Sequence, residues 1–400
     1  MKTKVLIAMS GGVDSSVAAL LLKKQGYNVI GAFMKNWSDT KNSFEECSWK
    51  DDRKEAMKIA SQLEIPLITL DFEKQYRKDV VEPMFNSYKK GITPNPDIDC
   101  NQKLKFPLLW KAAKKLGANF IATGHYARIK KIAMKESANN KKSSAVNFNR
   151  AGVSTNKTSS RVDGWEYNLL RAKDETKDQS YFLYRLSPKD LEHSLFPIGN
   201  LTKKQVREIA KKNKFSNYNR KSTVGICFIG KLNLKKFLQK KIKPKKGNIL
   251  NPEGKLIGQH DGIYYYTIGQ RIGPRFGIEV ERGKGKKLQR WYVARKNLKR
   301  NEIVAAPEGH SLLYRKEIFL KNPHWINKNI IIKLKSKRIT SLKVLVRIRH
   351  VGELLPSTLS YKNKIYGVTL DKAITGVSEG QAVVLYSGKR VLGGGVIQFN

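Results

Sequence analysis

The sequence predicts an α/β protein: a doubly wound parallel sheet at the amino end, a small central α+β domain, and a C-terminal β-barrel. Three observations predict it. Apolar strand-like runs alternate with helical stripes through the first 125 residues, the pattern of a parallel sheet covered by helices. A Gly- and aromatic-rich stretch occupies about residues 247–285, behind a helical segment. From about Asn301 helical periodicity gives way to alternating runs and glycine turns, which suits a barrel.

The elements follow in order. Residues 5–9 form a short apolar strand that Ser10-Gly11-Gly12 cuts off. A helix starts at about Ser15, with Val17, Leu20 and Leu21 at i, i+3, i+4 and Gly26 as its stop. Residues 29–34 read as the second strand, Ala56, Ile59, Ala60 and Leu63 mark the second helix, and residues 66–70 the third strand. A helix over about residues 105–116 and a strand over residues 120–123 complete the series. Ligands of such a sheet bind at the carboxyl ends of its strands.

Residues from about 130 to 163 break the pattern: they hold eleven Ser or Asn and little apolar periodicity, and read as a disordered surface insertion. Order resumes at Trp165, and Val206, Ile209 and Ala210 mark a later helix. Alternating runs at residues 343–348 and 382–385, with turns at Gly388-Lys389 and Gly393-Gly394-Gly395, carry the barrel. The expected domains are residues 1–195, 196–300 and 301–400.

The 400 residues carry 78 Lys+Arg against 33 Asp+Glu, a formal charge of +45. The surplus points to a polyanion, with nucleic acid ahead of a membrane surface because no basic amphipathic helix stands out. Lysine-rich bias also spreads charge over plain solvated helices, so only part of the surplus is expected to touch a partner. No run approaches the eighteen apolar residues of a membrane span, and the amino terminus reads as a strand rather than a secretory signal. Three scattered cysteines, Cys47, Cys100 and Cys227, make no disulfide framework and suggest a reducing, cytoplasmic compartment. With no C-x-x-C pair, a zinc ribbon or clustered iron–sulfur set is not expected.

Ser10-Gly11-Gly12-Val13-Asp14-Ser15-Ser16 lies between a strand and a helix, where a phosphate-binding loop must sit. Glycines let the backbone approach an anion, and the first helical amides point at it along the helix dipole. Ser10, Ser15 and Ser16 add hydroxyls. An ordinary glycine turn is common; the whole string behind a first strand is not. It is neither a Walker A loop nor G-x-G-x-x-G.

Cys100 ends the Pro-rich run Thr93-Pro94-Asn95-Pro96-Asp97-Ile98-Asp99 before a helix. The two carboxylates would raise the thiol pKa by like-charge repulsion, so a thiolate needs the helix amino end, Lys103 or Lys105, or bound RNA. A carboxylate beside a nucleophile suits proton transfer. Cys227 lies in a glycine-bounded apolar segment, Gly225-Ile226-Cys227-Phe228-Ile229-Gly230, where a cysteine is more often core than catalytic.

The loop resembles that of the PP-loop ATP pyrophosphatase superfamily, which implies a PP-loop nucleotide-binding domain with a five-stranded parallel sheet, ATP, and Mg²⁺ brought with it rather than held by a protein ligand set. Six collinear motifs resemble the tRNA-specific 2-thiouridylase family: Asn-Pro-Asp-x-x-Cys-Asn-x-x-x-Lys-Phe at residues 95–106, Ala-Thr-Gly-His-Tyr-Ala-Arg at 122–128, Lys-Asp-Gln-Ser-Tyr-Phe-Leu at 177–183, Leu-Phe-Pro-Ile-Gly at 195–199, the Cys227 segment, and Tyr-Thr-Ile-Gly-Gln-Arg at 266–271.

That resemblance implies sulfur transfer to C2 of the wobble uridine in tRNAs for Lys, Glu and Gln, with a persulfide carrier protein or cysteine desulfurase as partner. It implies that Ala8, Met9, Ser10, Gly11, Gly12, Val13, Asp14, Ser15, Met34 and Gly124 bind ATP. Asn95, Pro96 and Asp97 would meet the target base, Cys100 be the nucleophile, Cys227 carry the persulfide, and Asp97 do acid/base work. A Cys100–Cys227 disulfide, or released sulfide, would complete the transfer. His125, Lys177, Asp178, Gln179, Arg349, His350 and Gln381 would touch tRNA. By position alone, His125 also fits a sheet-rim role and Lys177-Asp178-Gln179 a solvated turn. Here Arg349-His350 replaces the family's Arg-Tyr, Pro274-Arg275-Phe276-Gly277-Ile278 its Gly-Leu-Gly-Ile run, and Arg290 its proline. A small-substrate synthetase would leave charge and cysteines idle, and a pure RNA-binding protein would leave the loop idle.

Overall fold

The computed structural model describes residues 2–38, 48–133, 165–220, 233–273, 289–326, 328–336, 339–350 and 352–399. In chain order come β1 (Lys4–Ala8), α1 (Val13–Lys24), β2 (Asn28–Lys35), α2 (Ser48–Gln62), β3 (Leu67–Asp71), α3 (Glu73–Tyr76), α4 (Glu82–Lys89), α5 (Pro96–Asp99), α6 (Phe106–Lys115) and β4 (Phe120–Ala122). The hairpin β5 (Ala127–Ala133) and β6 (Trp165–Arg171) follows, then α7 (Pro188–Glu192), β7 (Ser194–Leu195), α8 (Lys203–Lys212) and α9 (Leu234–Gln239). A second group is β8 (Gly247–Leu250), β9 (Leu256–His260), β10 (Arg271–Ile272), β11 (Trp291–Asn297) and β12 (Glu302–Pro307). The last is β13 (Tyr314–Trp325), α10 (Lys328–Lys335), β14 (Ser341–Arg347), β15 (Leu355–Lys362), β16 (Ile365–Thr375), β17 (Ala382–Ser387) and β18 (Arg390–Gln398). Among the described residues no helix is long and apolar enough to cross a membrane.

The first sheet has five parallel strands in the order β3-β2-β1-β4-β7, as the resemblance implied. Strand β1 is covered on both faces and therefore reads as one apolar run. Val5 and Ile7 join one core with Val17 of α1, Ile59 of α2 and Val206 of α8. Leu6 faces the other, with Leu109 of α6 and Tyr181. The order reverses between β1 and β4, which opens a crevice at their carboxyl ends. Ser10 and Gly124 both stand there.

The second sheet runs β10-β11-β12-β8-β9. The third closes on itself: β13-β16-β15-β14-β17-β18 is joined by a further β13–β18 pairing, giving a six-stranded barrel filled by Val346, Leu359, Val368, Leu370 and Val383. The β5–β6 hairpin reaches it where Arg390 pairs with Leu170.

Three local features differ from the sequence reading. Helical structure begins at Pro96, ahead of residue 105: Asn95 caps the turn, its side chain accepting from the Ile98 amide at 3.4 Å, and Pro96 takes the first position, a helix-start pair whose signal was present. A π-helical turn over Cys100–Lys105 then leads into α6. Residues 130–133 are strand, paired with residues 165–168; the strand is exposed at this end, so it has no apolar alternation to read, and Lys131 lies over the Trp165 ring at 4.2 Å. Finally, a helix does occur after residue 301: α10 buries Ile331 and Leu334, an apolar pair masked by flanking lysines.

Candidate active site

The phosphate loop is built as its residue types demand. Gly11 has φ +74, and a Cβ there would stand 2.3 Å from the Asp52 carbonyl oxygen, so only glycine fits. Gly12 is the N-cap of α1 and offers no side-chain oxygen to the first amides of the helix, which keep their capacity for an anion. Ser15 accepts from the Ser10 amide at 3.2 Å and donates to the Gly12 carbonyl at 3.0 Å. Gly124 approaches from the end of β4: its Cβ would lie 2.7 Å from the Ser15 nitrogen and 2.9 Å from the Asp14 carbonyl carbon. Gly11 and Gly124 thus each permit a close backbone approach at the loop, to Asp52 and to Asp14-Ser15, and leave a cradle that fits a nucleotide's phosphates.

Ala8 ends β1, and Met9 and Met34 are buried, the latter near the end of β2. Asn36, two residues further, is 1% exposed with neither amide atom partnered by protein. Val13 is buried at the start of α1. Asp14 accepts from the Tyr126 hydroxyl at 2.8 Å and from Lys203 Nζ at 2.6 and 2.7 Å. Burial first, then the Asp14 carboxylate, push the Tyr126 phenol far above its ordinary range, so it stays a neutral donor. Lys203 carries no local sequence signal; Tyr126 belongs to a motif that the sequence reading singled out for its neighbours. Among the described residues no group of three or more His, Cys, Asp or Glu is placed to hold a metal.

Cys100 is fully buried, at the first position of the π-helical turn, an irregularity that often marks functional sites. Asp99 is engaged by Lys103 at 3.2 Å and Arg185 at 3.5 Å, which offsets the like-charge repulsion expected beside the thiol. The loop before Cys100 is held by two other parts of the molecule. Thr93 Oγ1 meets Thr267 Oγ1 at 3.0 Å, and Gln381 Nε2 donates to the Thr93 and Pro94 carbonyls at 3.0 and 2.9 Å. Asn95 reaches Gln381 Oε1 at 3.4 Å. Asp97 is half-buried. Cys227, Cys47 and residues 274–278 lie outside the described residues.

The remaining sequence-selected residues divide by burial. His125 is buried, bonded through Nδ1 to Thr123 at 2.7 Å and stacked on Phe106; burial and then the Lys105 charge hold its pKa well below the ordinary value. Asp178 is buried too: it accepts from the Ala172 and Ser180 amides, from the Ser180 hydroxyl and from Arg347 at 2.8 Å. Gln179 exchanges hydrogen bonds with the Tyr126 backbone. Lys177 and Arg349 are exposed. His350 spends its ring on Phe182, stacked at 4.4 Å.

Comparison with known proteins decides the family. Residues 3–231 match a model described as the tRNA methyl transferase HUP domain, 235–307 its PRC-barrel domain, and 315–397 an aminomethyltransferase beta-barrel domain. The tRNA-specific 2-thiouridylase MnmA of Coxiella burnetii is 40% identical over 395 residues, 98% of this chain and 97% of that one. Those of Bacillus subtilis and Pediococcus pentosaceus are 38% and 37% identical over 99% of this chain and 95% of theirs. The chain belongs to the tRNA-specific 2-thiouridylase family. In this chain the phosphate loop and Gly124 follow the neighbouring strands β1 and β4, the Cys100 turn leads into α6, and the Cys100 loop is gripped by Thr267, between β9 and β10, and by Gln381, just before β17.

Proposed function

We propose that this chain is an ATP-dependent sulfurtransferase that replaces the C2 oxygen of the wobble uridine in tRNAs for Lys, Glu and Gln with sulfur. One observation carries the reading: an anion-binding loop and a cysteine-bearing helix meet at one strand end. Gly124 touches the loop at Ser15, and the next residue, His125, packs on Phe106 of the helix that follows Cys100. A methyl transferase, the word in the family model's description, would give neither loop nor cysteines a task.

The C2 carbonyl is a poor electrophile and oxide a poor leaving group. When bound, ATP with Mg²⁺ supplies an adenylate on that oxygen, so that it departs within AMP. The chain's own part is to hold and to deliver. The loop amides with the Ser10 hydroxyl hold the phosphates where charge develops, Ser15 bracing the loop through the Gly12 carbonyl, and Met34, Gly124 and Asn36 border the nucleotide.

Asn95, Pro96 and Asp97 meet a uridine taken out of its stack, and Asp97, the carboxylate of the Asn-Pro-Asp motif, moves the proton. The outer sulfur of a Cys227 persulfide, charged by a carrier protein or cysteine desulfurase, bonds to C2. The Cys100 thiolate then attacks the Cys227 sulfur, forming a Cys100–Cys227 disulfide and leaving the sulfur on uridine. In the alternative order Cys100 first frees hydrosulfide, which attacks C2. In either order the two electrons that bring the transferred sulfur to the sulfide level come from Cys100 and Cys227, which are left oxidised as a disulfide that a cytoplasmic thiol reductant resets.

Exposed Lys177 and Arg349 serve tRNA phosphates, whereas Asp178, Gln179, His125, His350 and Gln381 shape the surface that receives it. Residues 1–195, 196–300 and 301–400 serve as catalytic, central and barrel units, except that α8 packs with the first sheet and β12 pairs within the second. Exchange of labelled pyrophosphate into ATP tests the reading. Exchange that requires tRNA is expected; exchange indifferent to tRNA would indicate a small-substrate synthetase, and no exchange a binding module.

A further inference from the structure

The carbonyl of Gly11 is claimed from far along the chain. Its oxygen accepts from Asn217 Nδ2 at 3.0 Å and from Arg220 Nη1 at 3.2 Å. Asn217 Nδ2 also reaches Ser16 Oγ at 2.9 Å. The other arm of Arg220 pairs with Asp52, whose backbone presses on Gly11. Asn217 is 3% exposed, so these bonds form away from competing water.

The donor sense is fixed by the network. Ser16 Oγ gives its one proton to the Gly12 carbonyl at 3.0 Å and must therefore accept from Asn217. Gly11 O can only accept. Both partners require the amide nitrogen of Asn217, so an acceptor in its place would oppose two oxygens at once.

Within one peptide plane the C=O and N–H point in opposite directions. Holding the Gly11 oxygen toward Asn217 and Arg220 aims the Gly12 N–H the other way, toward Ser10 Oγ at 3.4 Å, on the side of the loop hydroxyls. A reversed peptide would present a carbonyl oxygen to an anion, which repels it. We infer that Asn217 and Arg220 are positioning residues for the pyrophosphate end of the nucleotide. They act through the Gly11–Gly12 peptide without touching the ligand. The inference rests on the nucleotide reading above and adds two residues outside the loop motif.

Binding of ATP and of AMP, which lacks the pyrophosphate, separates the outcomes by titration calorimetry on the full chain with Mg²⁺. Asn217→Leu, which keeps the approximate shape and removes the donor without adding charge, is expected to weaken ATP by roughly ten- to a hundred-fold and to leave AMP within about two-fold. Arg220→Gln, which keeps a donor, should lose less than Arg220→Met. Because the Arg220 side chain is 40% exposed, its variants decide the same contrast if Asn217→Leu does not fold. Equal ATP affinity in the variants and the wild type overturns the inference, as does a parallel loss of ATP and AMP, which marks a merely structural role. Absence of ATP binding by the wild type would instead overturn the nucleotide reading itself.

Discussion

Gln381, at the start of a barrel strand, holds the backbone of Thr93 in the loop that precedes Cys100, its side-chain amide donating at 3.0 Å. A second bond to the Pro94 carbonyl makes the grip two-pronged. The barrel, a separate closed sheet, thereby helps to set the geometry of Asn95 and Asp97. Gln381→Leu is therefore expected to slow single-turnover thiolation with enzyme in excess by about ten- to a hundred-fold, the cost of two lost hydrogen bonds, with tRNA affinity nearly unchanged. Rates and tRNA affinity measured on the same variant check this. A loss confined to affinity would make Gln381 an RNA contact instead.

Arg349 is exposed and has the reach for phosphate. Arg349→Ala should weaken tRNA binding by roughly 1–3 kcal/mol and lower the salt slope by up to about one charge. Filter binding across a salt series measures both. ATP affinity should not move, since the phosphate loop stands on another sheet.

Ala133 and Trp165 are register partners at the open end of the β5–β6 hairpin, so residues 134–164 can be replaced by a short Asn-Gly turn. Shortening the connection lowers its closure cost by about 2 kcal/mol. The thermal midpoint is expected to equal or exceed that of the wild type, and the thiolation rate to stay close to it. A collapse of the midpoint would show that the replaced residues support the core.

What the sequence made legible follows from the range of the interactions. Strand β1, the helix behind it and the Ser10–Gly12 turn are local patterns, so periodicity and residue type reveal them. The six motifs placed Gly124 and Cys100 in one protein, but the contact of Gly124 with Ser15 joins residues far apart in sequence. The grips of Lys203 on Asp14 and of Asn217 on Gly11 span 189 and 206 residues, and no local pattern encodes them. Asp178 looked like a solvated turn residue because its partner, Arg347, lies 169 residues away. The lysine-flanked α10 and the exposed end of β5 were hidden because lysine obscures apolar contrast.

His125 gives the fold a definite pH dependence. Burial, and secondarily Lys105, depress its pKa well below the ordinary value, while the unfolded chain titrates near 6.5. Between those values the unfolded state binds the extra proton. The stability contribution is thus full above about pH 6.5 and is lost as pH falls, by about 1.4 kcal/mol per pH unit for one group. Denaturant titrations at pH 7.5 and 5.5 should show this loss, and His125→Gln should remove up to one proton of the slope. His260 and His350, both depressed chiefly by burial, would keep the remainder. An unaltered slope in the variant would contradict the assignment.

The most direct test of the central claim is mass-spectrometric analysis of 2-thiouridine in tRNA treated with the purified chain, ATP and a persulfide donor. The wild type should form it only with ATP present, and Cys100→Ser and Cys227→Ser should each form none while still binding ATP. Full thiolation by either serine variant, or by the wild type without ATP, would contradict the account.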